Sequence, residues 1–287
     1  MGFKTKKNIN SSPLPLGEGS GVRVAIDEDL AGQQDITALL VPEDAKAKAY
    51  VICREEAIVC GTEWVNEVFR QLDKDIKIKW KCEDGNLIRE DNVVCELEGK
   101  ARSLLTGERT ALNFLQLLSA TATVTYQYVQ KLAGTSVKLL DSRKTIPGLR
   151  AAQKYAVRCG GGHNHRMGLY DAFLIKENHI RACGSISEAV AAARNIAKKQ
   201  IEVEVEDLIQ LQEAISAGAD MVMLDNFGID EVREAVMINK GKVLLEVSGN
   251  VSLDNIRNIA QLGVDFISVG ALTKNVKAID FSMQFVT

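Results

Sequence analysis

The chain has 287 residues, of which 46% are hydrophobic and 25% are charged. This composition is typical of a globular protein, and the length suffices for one large domain or two smaller ones. The net charge of −3 gives no global positive field, which argues against a nucleic-acid-binding protein. No uninterrupted run of about 18 apolar residues occurs, so the sequence predicts no membrane span.

Cysteine usage and the N-terminal composition bear on location. Six cysteines are scattered along the chain without a CxxC pair, which favours reduced thiols in a cytoplasmic protein over a disulfide framework. Residues 1–24 are rich in Ser, Pro and Gly and lack the apolar segment of a secretion signal. We expect a disordered leader here, with a transit peptide as the alternative.

Residues 25–125 have the pattern of an α+β domain. A short helix and a loop are expected over residues 25–40, and helical spacing of apolar residues begins at Ser103 and resumes up to Leu132. Strands are predicted by the alternating runs Ala45–Ile52, Ile76–Lys81 and Val93–Leu97. A helix is predicted between the first two of them, over Glu63–Leu72. We therefore expect strands followed by long helices in a first domain that ends near residue 125.

After Gly134 short apolar runs alternate with helical segments. The predicted strands are Val137–Leu140, Ala172–Ile175, Ile201–Val205, Met221–Leu224, Val243–Val247 and Phe266–Val269. Strand–helix alternation over this length predicts a parallel sheet, closed as a barrel or an open barrel, in a domain over residues 126–274.

Residues 141–171 form a basic segment that a packed core would not need. Its cations are Arg143, Lys144, Arg150, Lys154, Arg158 and Arg166. Crowded cations repel each other and lose hydration unless an anion lies among them. The triple glycine Gly160–Gly162 stands before His163 and His165, and we expect it to let the backbone approach a ligand closely. The segment predicts a site for a small ligand with several negative charges.

Polar residues also end most of the other predicted strands. In a barrel the carboxyl ends of the strands converge on one face, so these groups should meet there. Glu204 and Asp225 suit a Mg²⁺ ion with its waters and substrate phosphates, and Glu204 is preferred to its neighbours because it lies centrally in its run. Backbone N–H groups for a phosphate are offered by Ser248, Gly249 and Gly270.

Five stretches of the sequence resemble the quinolinate phosphoribosyltransferase family, also called nicotinate-nucleotide diphosphorylase (carboxylating). They are ERTALNFLQLLSA, DSRKTIPGLRAAQKYAVRCGGGHNHRMGLYDAFLIKENH, EVEVEDL, VMLDNF and SVGALT. The resemblance runs from about Ala25 to the C-terminus and is most specific between Asp141 and His179. Ser142 stands where the family usually has Thr, which keeps the hydroxyl group.

This resemblance implies both a fold and a reaction. The fold is an N-terminal α/β sandwich followed by an open α/β barrel, with residues 275–287 packed on the first domain. The reaction transfers phosphoribosyl from phosphoribosyl pyrophosphate to quinolinate with decarboxylation, and yields nicotinate mononucleotide, CO₂ and pyrophosphate in de novo NAD synthesis. Mg²⁺ is the implied cofactor.

The resemblance also implies roles for particular residues. The quinolinate-binding positions fall on Arg109, Arg143, His165, Arg166 and Lys176. The positions that bind phosphoribosyl pyrophosphate and phosphate fall on Lys144, Ser248, Gly249, Gly270 and Ala271. Glu204 and Asp225 match catalytic positions associated with Mg²⁺, directly or through water. Arg109 matches an arginine that a neighbouring subunit lends, which implies a homodimer or larger assembly with shared active sites.

Three other functions stay open on the residues alone. A paralogous phosphoribosyltransferase could act on nicotinate or another small acid, although nicotinate has one carboxylate and the predicted site has many cations. A phosphate-binding aldolase or isomerase could use Lys176 as a Schiff base, although the surrounding cations favour an anion clamp. An inactive barrel could serve as a binding module, although Glu204 and Asp225 argue against that.

Overall fold

The computed structural model describes residues 18–286 and forms two compact units. The first unit holds the described residues up to Ser119 and those from Ala278 onward, and the second is Ala120–Lys277. The second contains a parallel sheet with intervening helices, so the predicted α/β class is confirmed. Every helix within residues 18–286 is too short or too polar to cross a membrane.

Twelve strands and ten α-helices follow one another along residues 18–286. As far as the end of the long helix, the elements are α1 (Glu18–Leu30), a 3-10 helix (Ala38–Leu40), β1 (Lys46–Cys53), β2 (Ala57–Ile58), α2 (Thr62–Leu72), β3 (Lys77–Trp80), β4 (Leu87–Ile88), β5 (Val93–Lys100) and α3 (Ala101–Lys131). They continue with β6 (Lys138–Leu140), α4 (Arg150–Cys159), β7 (Phe173–Ile175), α5 (Glu177–Cys183), α6 (Ile186–Ile196), β8 (Ile201–Val205) and α7 (Leu208–Ser216). The remaining elements are β9 (Met221–Asp225), α8 (Ile229–Asn239), β10 (Leu244–Ser248), α9 (Ile256–Ala260), β11 (Phe266–Ser268), α10 (Ala271–Lys274) and β12 (Phe281–Phe285).

An antiparallel sheet in the order β12-β1-β5-β3 organises the first unit. Side chains alternate along β1, so that Val51 is buried while Lys48 on the other face is exposed and pairs with Glu98 of β5. The last strand, β12, pairs with β1, which brings the C-terminal residues into the first unit. The resemblance places the C-terminal segment there as well.

Six parallel strands in the order β6-β11-β10-β9-β8-β7 form the sheet of the second unit. Val203, Val222 and Val247 are buried in the apolar cluster that this sheet shares with its helices. Two cavities are each lined from both edges of the sheet, one by Leu140 of β6 and Ala172 just before β7, the other by Asp141 just after β6 and Leu174 of β7. The sheet therefore curves into an open barrel. This curvature points the opposite face of each strand toward the barrel interior.

The two units divide within a single helix. Helix α3 runs without a break for 31 residues, and the compact units separate between Ser119 and Ala120. The sequence places this boundary near residue 125 because the helical spacing does not change where the chain enters the second unit. A boundary inside a continuous helix leaves no loop composition to mark it.

The predicted disordered leader is wrong where it overlaps the described residues. Residues 18–24 belong to α1, whose Val22 and Ile26, four residues apart, are 0% and 8% exposed. The Gln71 side-chain amide also donates to the carbonyl of Gly19 at 2.9 Å. Two apolar residues one turn apart suffice to bury one face of the helix, and the surrounding Gly and Ser hide that signal. The rest of the leader, residues 1–17, lies outside the described residues.

Candidate active site

A pocket of about 280 Å³ lies at the carboxyl ends of the parallel strands. All six strands, or the turns that follow them, contribute to its lining, which consists of Asp141, Ser142, Arg143, Lys144, His165, Arg166, Leu174, Lys176, Glu204, Met223, Asp225, Glu246, Ser248 and Ser268. Most of the predicted site residues are therefore brought together in one place. The convergence follows from parallel strands whose ends face the same side of the barrel.

The basic segment reaches this pocket through a stretch that extends the sheet at β6. The His163 N–H donates to the Leu139 carbonyl at 2.8 Å, and the Asp141 N–H donates to the His163 carbonyl at 3.1 Å. Because the stretch is held like a short parallel strand, it presents the next residues, His165 and Arg166, to the pocket.

The triple glycine packs against helix α3, which differs from the predicted role of admitting a ligand. A Cβ on Gly160 would lie 2.4 Å from the Ala122 carbonyl oxygen, and one on Gly162 would lie 2.9 Å from Cγ2 of Thr125. Gly161 has φ of +88°, a left-handed value that disfavours other residues. The space left by the missing side chains is filled by protein, so these glycines allow close packing and a tight turn.

Two arginines give the pocket its positive character. The Nε atoms of Arg143 and Arg166 are buried and have no hydrogen-bond partner within residues 18–286. Burial, and then the charge of nearby Arg143, lowers the pKa of Arg166, which shows that the two cations repel each other. An anion between them would supply acceptors for the unpaired N–H groups and relieve the repulsion.

Carboxylates from β8 and β9 face these cations. The Lys176 ammonium pairs with Glu204, and Asp225 accepts a hydrogen bond from the Asn226 amide at 2.8 Å. Both carboxylates line the pocket and neither is fully buried. Hard carboxylate oxygens beside a cavity that could hold phosphates are the ligands that Mg²⁺ prefers, so the donor set fits this ion.

Below the cations lies a buried acidic cluster around His165. Its Nε2 is 2.8 Å from Glu202 Oε2 and 3.6 Å from Glu246 Oε2. Glu246 is fully buried, and burial, followed by the charge of Glu202, raises its pKa well above the ordinary value. His165 and Glu202 also border a second cavity, of about 270 Å³, which reaches the residues that begin the strands. The interior of the barrel is therefore polar near the pocket floor.

The predicted phosphate-binding residues lie at the ends of β10 and β11. Ser248 lines the pocket, and Gly249 follows it with φ of +91°. A Cβ on Gly249 would lie 2.1 Å from Oδ1 of Asn226, so only glycine fits there. Gly270 precedes Ala271 at the start of α10, and a Cβ on Gly270 would lie 3.1 Å from Cδ of Lys144. Lys144 therefore lies close over Gly270.

Comparison with known families decides what kind of site this is. The family model for the quinolinate phosphoribosyl transferase C-terminal domain matches residues 121–284, and that for the N-terminal domain matches residues 35–119. The chain belongs to the quinolinate phosphoribosyltransferase family. The two family domains meet at the same place in α3 as the two compact units.

Individual family members cover nearly all of the chain. A probable nicotinate-nucleotide pyrophosphorylase [carboxylating] of Bacillus subtilis (strain 168) is 43% identical over 90% of this chain and 89% of its own length. The corresponding protein of Mycobacterium leprae (strain TN) is 40% identical, over 92% and 95% of the two chains. The solved nicotinate-nucleotide pyrophosphorylase of Francisella tularensis is 53% identical, with a TM-score of 0.91 over 93% of this chain and 95% of that one.

Arg109 is the predicted site residue that belongs to the first unit. It lies on α3 next to Glu108, whose pKa is raised by burial and lowered to a smaller extent by the charge of Arg109. The approach of Arg109 to a site made by another chain remains a prediction.

Several buried polar residues around the site have no individual role in the sequence-based prediction. They are Asp141, Gln153, Lys154, Glu202 and Glu246. The prediction counts Lys154 among the cations around an anionic ligand, but the structure buries Lys154 in an ion pair with Asp141. Two of the buried residues carried a usable signal: Glu246 is the single charged residue in the strand LLEVS, and Glu202 shares a face with Glu204 by the two-residue period of a strand. Gln153 and Lys154 could be found only after a helix had been predicted in the basic segment, and its sequence pattern does not predict one.

Proposed function

We propose that the protein transfers phosphoribosyl from phosphoribosyl pyrophosphate to quinolinate and releases CO₂ and pyrophosphate, giving nicotinate mononucleotide. The observation that carries this proposal is the pocket at the strand ends, where two arginines, each with a buried and unpartnered Nε, face a pair of carboxylates. Membership in the quinolinate phosphoribosyltransferase family supports the same reaction. The activity would contribute nicotinate mononucleotide to NAD synthesis.

Quinolinate would occupy the cationic half of the pocket. Its two carboxylates match Arg143, Arg166 and Lys176, and His165 would add a ring nitrogen at the pocket floor. Bidentate arginine contacts would fix the plane of the ring, so that its nitrogen is aimed at C1′ of the ribose. Arg109 would add a further cation from the second chain of a homodimer.

Phosphoribosyl pyrophosphate would occupy the half formed by β8 to β11. Lys144 and the backbone of Ser248, Gly249, Gly270 and Ala271 would bind its phosphates. Glu204 and Asp225 would hold Mg²⁺, directly or through water. When bound, this ion would neutralise charge on the pyrophosphate as it leaves. Lys176, paired with Glu204, would connect the two halves of the pocket.

The chemistry needs orientation and charge stabilisation rather than a nucleophilic side chain. The quinolinate nitrogen forms a bond to C1′ as the bond from C1′ to pyrophosphate breaks, and the carboxylates of Glu204 and Asp225 stabilise the positive charge on the ribose. The ring nitrogen is then cationic. The bond from C2 to its carboxylate breaks next, C2 keeps the electron pair beside that nitrogen, and a proton replaces CO₂.

A direct assay tests the proposal. The protein is incubated with quinolinate, phosphoribosyl pyrophosphate and Mg²⁺, and CO₂ and nicotinate mononucleotide are measured. A parallel reaction with nicotinate in place of quinolinate tests the paralogous activity on an acid with one carboxylate. We expect product in the reaction with quinolinate and none in the reaction with nicotinate. Product from nicotinate without product from quinolinate would overturn the proposal.

A further inference from the structure

Two consecutive polar residues of helix α4 are fully buried beside the pocket. Gln153 and Lys154 are each 0% exposed, and they follow Ala152 on the buried face of the helix. A buried amide and a buried ammonium are costly unless their hydrogen bonds are satisfied. Their partners therefore indicate what the two side chains do.

The Lys154 side chain is directed at His165. Its ammonium donates to the His165 carbonyl at 2.9 Å and pairs with the carboxylate of Asp141, which is also 0% exposed. The same carboxylate accepts the His165 N–H at 2.9 Å, and its other oxygen accepts from the Asn164 amide. Both backbone polar groups of His165 are thus held by one buried ion pair.

The Gln153 side chain is directed at the phosphate half of the pocket. Its amide oxygen accepts the Ile146 N–H at 2.8 Å, and its amide nitrogen donates to the Thr273 carbonyl at 2.8 Å. The Thr273 hydroxyl in turn donates to the Lys144 carbonyl at 2.8 Å. One amide therefore joins the loop that carries Lys144 to α10, which follows Gly270.

Apart from the ion pair between Lys154 and Asp141, these side chains bond to the backbone of residues in and around the pocket wall, and the two sets of partners have no residue in common. Loss of either side chain would leave buried backbone groups unpaired and free to move. A displacement of about 1 Å in a binding group is enough to weaken binding and catalysis substantially. Because the sets are separate, each displacement should be confined to one half of the pocket.

We propose that Lys154 and Gln153 are positioning residues for different substrates: Lys154 holds His165 for quinolinate, and Gln153 holds Lys144 for the phosphates of phosphoribosyl pyrophosphate. The assignment rests on the proposed function, since it uses the same two substrates. It adds that one turn of α4 supports both halves of the site independently. A role limited to folding would affect the two halves alike.

The test compares Lys154→Met and Gln153→Leu with the wild-type protein. Dissociation constants for quinolinate and for phosphoribosyl pyrophosphate with Mg²⁺ are measured by calorimetry, together with KM values where turnover remains. Lys154→Met should weaken quinolinate binding about ten-fold and phosphoribosyl pyrophosphate binding less than about two-fold, and Gln153→Leu should do the reverse. Equal weakening of both ligands in either variant would overturn the proposal.

Asn239→Leu serves as the matched control. Asn239 is also buried, and its side chain bonds twice to the backbone of Val243, at 2.8 and 3.1 Å, in the turn between α8 and β10. This variant loses buried hydrogen bonds of the same kind outside the pocket. It should lower the melting temperature and leave both dissociation constants unchanged. A shift in either constant would mean that general destabilisation produces the pattern.

Two further variants keep the test decisive. If Lys154→Met fails to fold because Asp141 is left as an unpaired buried charge, Lys154→Met combined with Asp141→Asn removes that charge and carries the same expectation. In a His165→Ala background, the Lys154 substitution should no longer change quinolinate affinity. A full additional loss there would show that Lys154 acts elsewhere.

The wild-type measurement separates the two proposals. A wild-type protein that binds neither substrate would overturn the proposed function and this assignment with it. A wild-type protein that binds and converts both substrates, with variants that fail to divide between them, would overturn the positioning roles alone.

Discussion

Two strands with similar alternating sequences, β3 and β8, place their charged side chains in opposite environments. In β3 the lysines of KIKW point away from the core and are exposed, while Ile78 and Trp80 face inward. In β8 the valines of IEVEV face the helices, and Glu202 and Glu204 point into the barrel. Alternation alone identifies two faces of a strand, but whether the charged face is solvated or enclosed depends on what lies over that face.

The two environments differ in the free-energy cost of a charged side chain, which is small for a solvated charge and large for an enclosed one. Lys48 and Glu98 of the first sheet are 67% and 56% exposed in their ion pair, so they keep most of their hydration. Glu202 and Glu246 are 4% and 0% exposed. Enclosing a carboxylate costs several kcal/mol unless a partner compensates it, so enclosed charges on strands point to a functional site.

Among substitutions that keep the shape of a side chain, the largest effect should come from exchanging an enclosed carboxylate for an amide. On the proposed function, Glu204→Gln should lower kcat on the order of 100-fold, because it removes a carboxylate that would stabilise charge on the ribose and hold Mg²⁺. Asp225→Asn should act in the same direction. The matched control is Glu96→Gln on β5, where the side chain is exposed in its pair with Lys81 and activity should stay unchanged. Undiminished turnover of Glu204→Gln at ordinary Mg²⁺ concentrations would contradict the assignment, and circular dichroism would check the fold of each variant.

Loss of the Arg166 guanidinium from the pocket should weaken binding far more than loss of a cation from the first sheet. Arg166→Ala should raise the dissociation constant for quinolinate about 10- to 100-fold, which corresponds to one charged hydrogen-bonding group of about 1.5–3 kcal/mol. Binding of phosphoribosyl pyrophosphate should change less. Lys79→Ala, on the exposed face of β3, is the control and should change neither constant. Equal weakening of both ligands by Arg166→Ala would count against its place on the quinolinate side.

Arg109 would be an exception to the comparison between solvated charges of the first unit and functional charges of the second. It belongs to the first unit but is predicted to serve the active site of another chain. Arg109→Ala and Lys144→Ala should each abolish activity. If active sites are shared in a closed dimer, random mixing of the two variants should restore roughly a quarter of wild-type activity, since half of the dimers then contain one intact site of two. Subunit exchange is followed by mass spectrometry. Exchange without recovery would place Arg109 in its own chain's site or in none.

The smallest effect concerns stability and pH at Glu246. Burial, and then the charge of Glu202, raises the pKa of this carboxyl in the folded protein. The raised pKa stabilises the fold fully below the unfolded pKa, near 4.5, where the carboxyl is neutral. This stabilisation is lost as the pH rises through the folded pKa. Glu246→Gln does not titrate. Relative to wild type, its free energy of unfolding should therefore increase between pH 5 and pH 8, by about 1.4 kcal/mol for each unit of pKa elevation that the range covers.

Denaturant titrations at several pH values would measure this trend. Glu98→Gln, an exchange on the exposed face of β5, is the control and should show no such dependence. A stability difference for Glu246→Gln that is the same at pH 5 and pH 8 would show that the folded carboxyl titrates normally.

The sequence predicts the strands of the barrel well because they are short apolar runs bounded by polar residues. Ile201–Val205 is a strand over the predicted range. Four others differ by one residue at one end, and the predicted Val243–Val247 is displaced by one residue, to Leu244–Ser248. Convergence of Arg143, Glu204 and Asp225 follows from parallel strand direction alone. These features depend on local pattern and on one rule of topology.

The features that sequence patterns do not predict depend on what packs against what. Helix α4 buries Gln153 and Lys154 on its inner face, which breaks the apolar period by which helices are recognised. The triple glycine resembles a ligand loop because its neighbour, α3, is distant in sequence. The pairing of Lys154 with Asp141 cannot be inferred from spacing, since the two are 13 residues apart and only the first lies on a helix.

Strand β12 has a consequence for the order in which the chain can fold during synthesis. Tyr50 of β1 and Gln284 of β12 are neighbours in the first sheet but lie 234 residues apart. At about 5–20 residues per second, a ribosome needs roughly 10–50 s to make the chain between them. The edge of β1 stays without this partner for that time, while the whole of the second unit emerges. The unit that begins first is thus completed last. Its open strand edge is the part of the nascent chain most exposed to pairing with a strand of another chain.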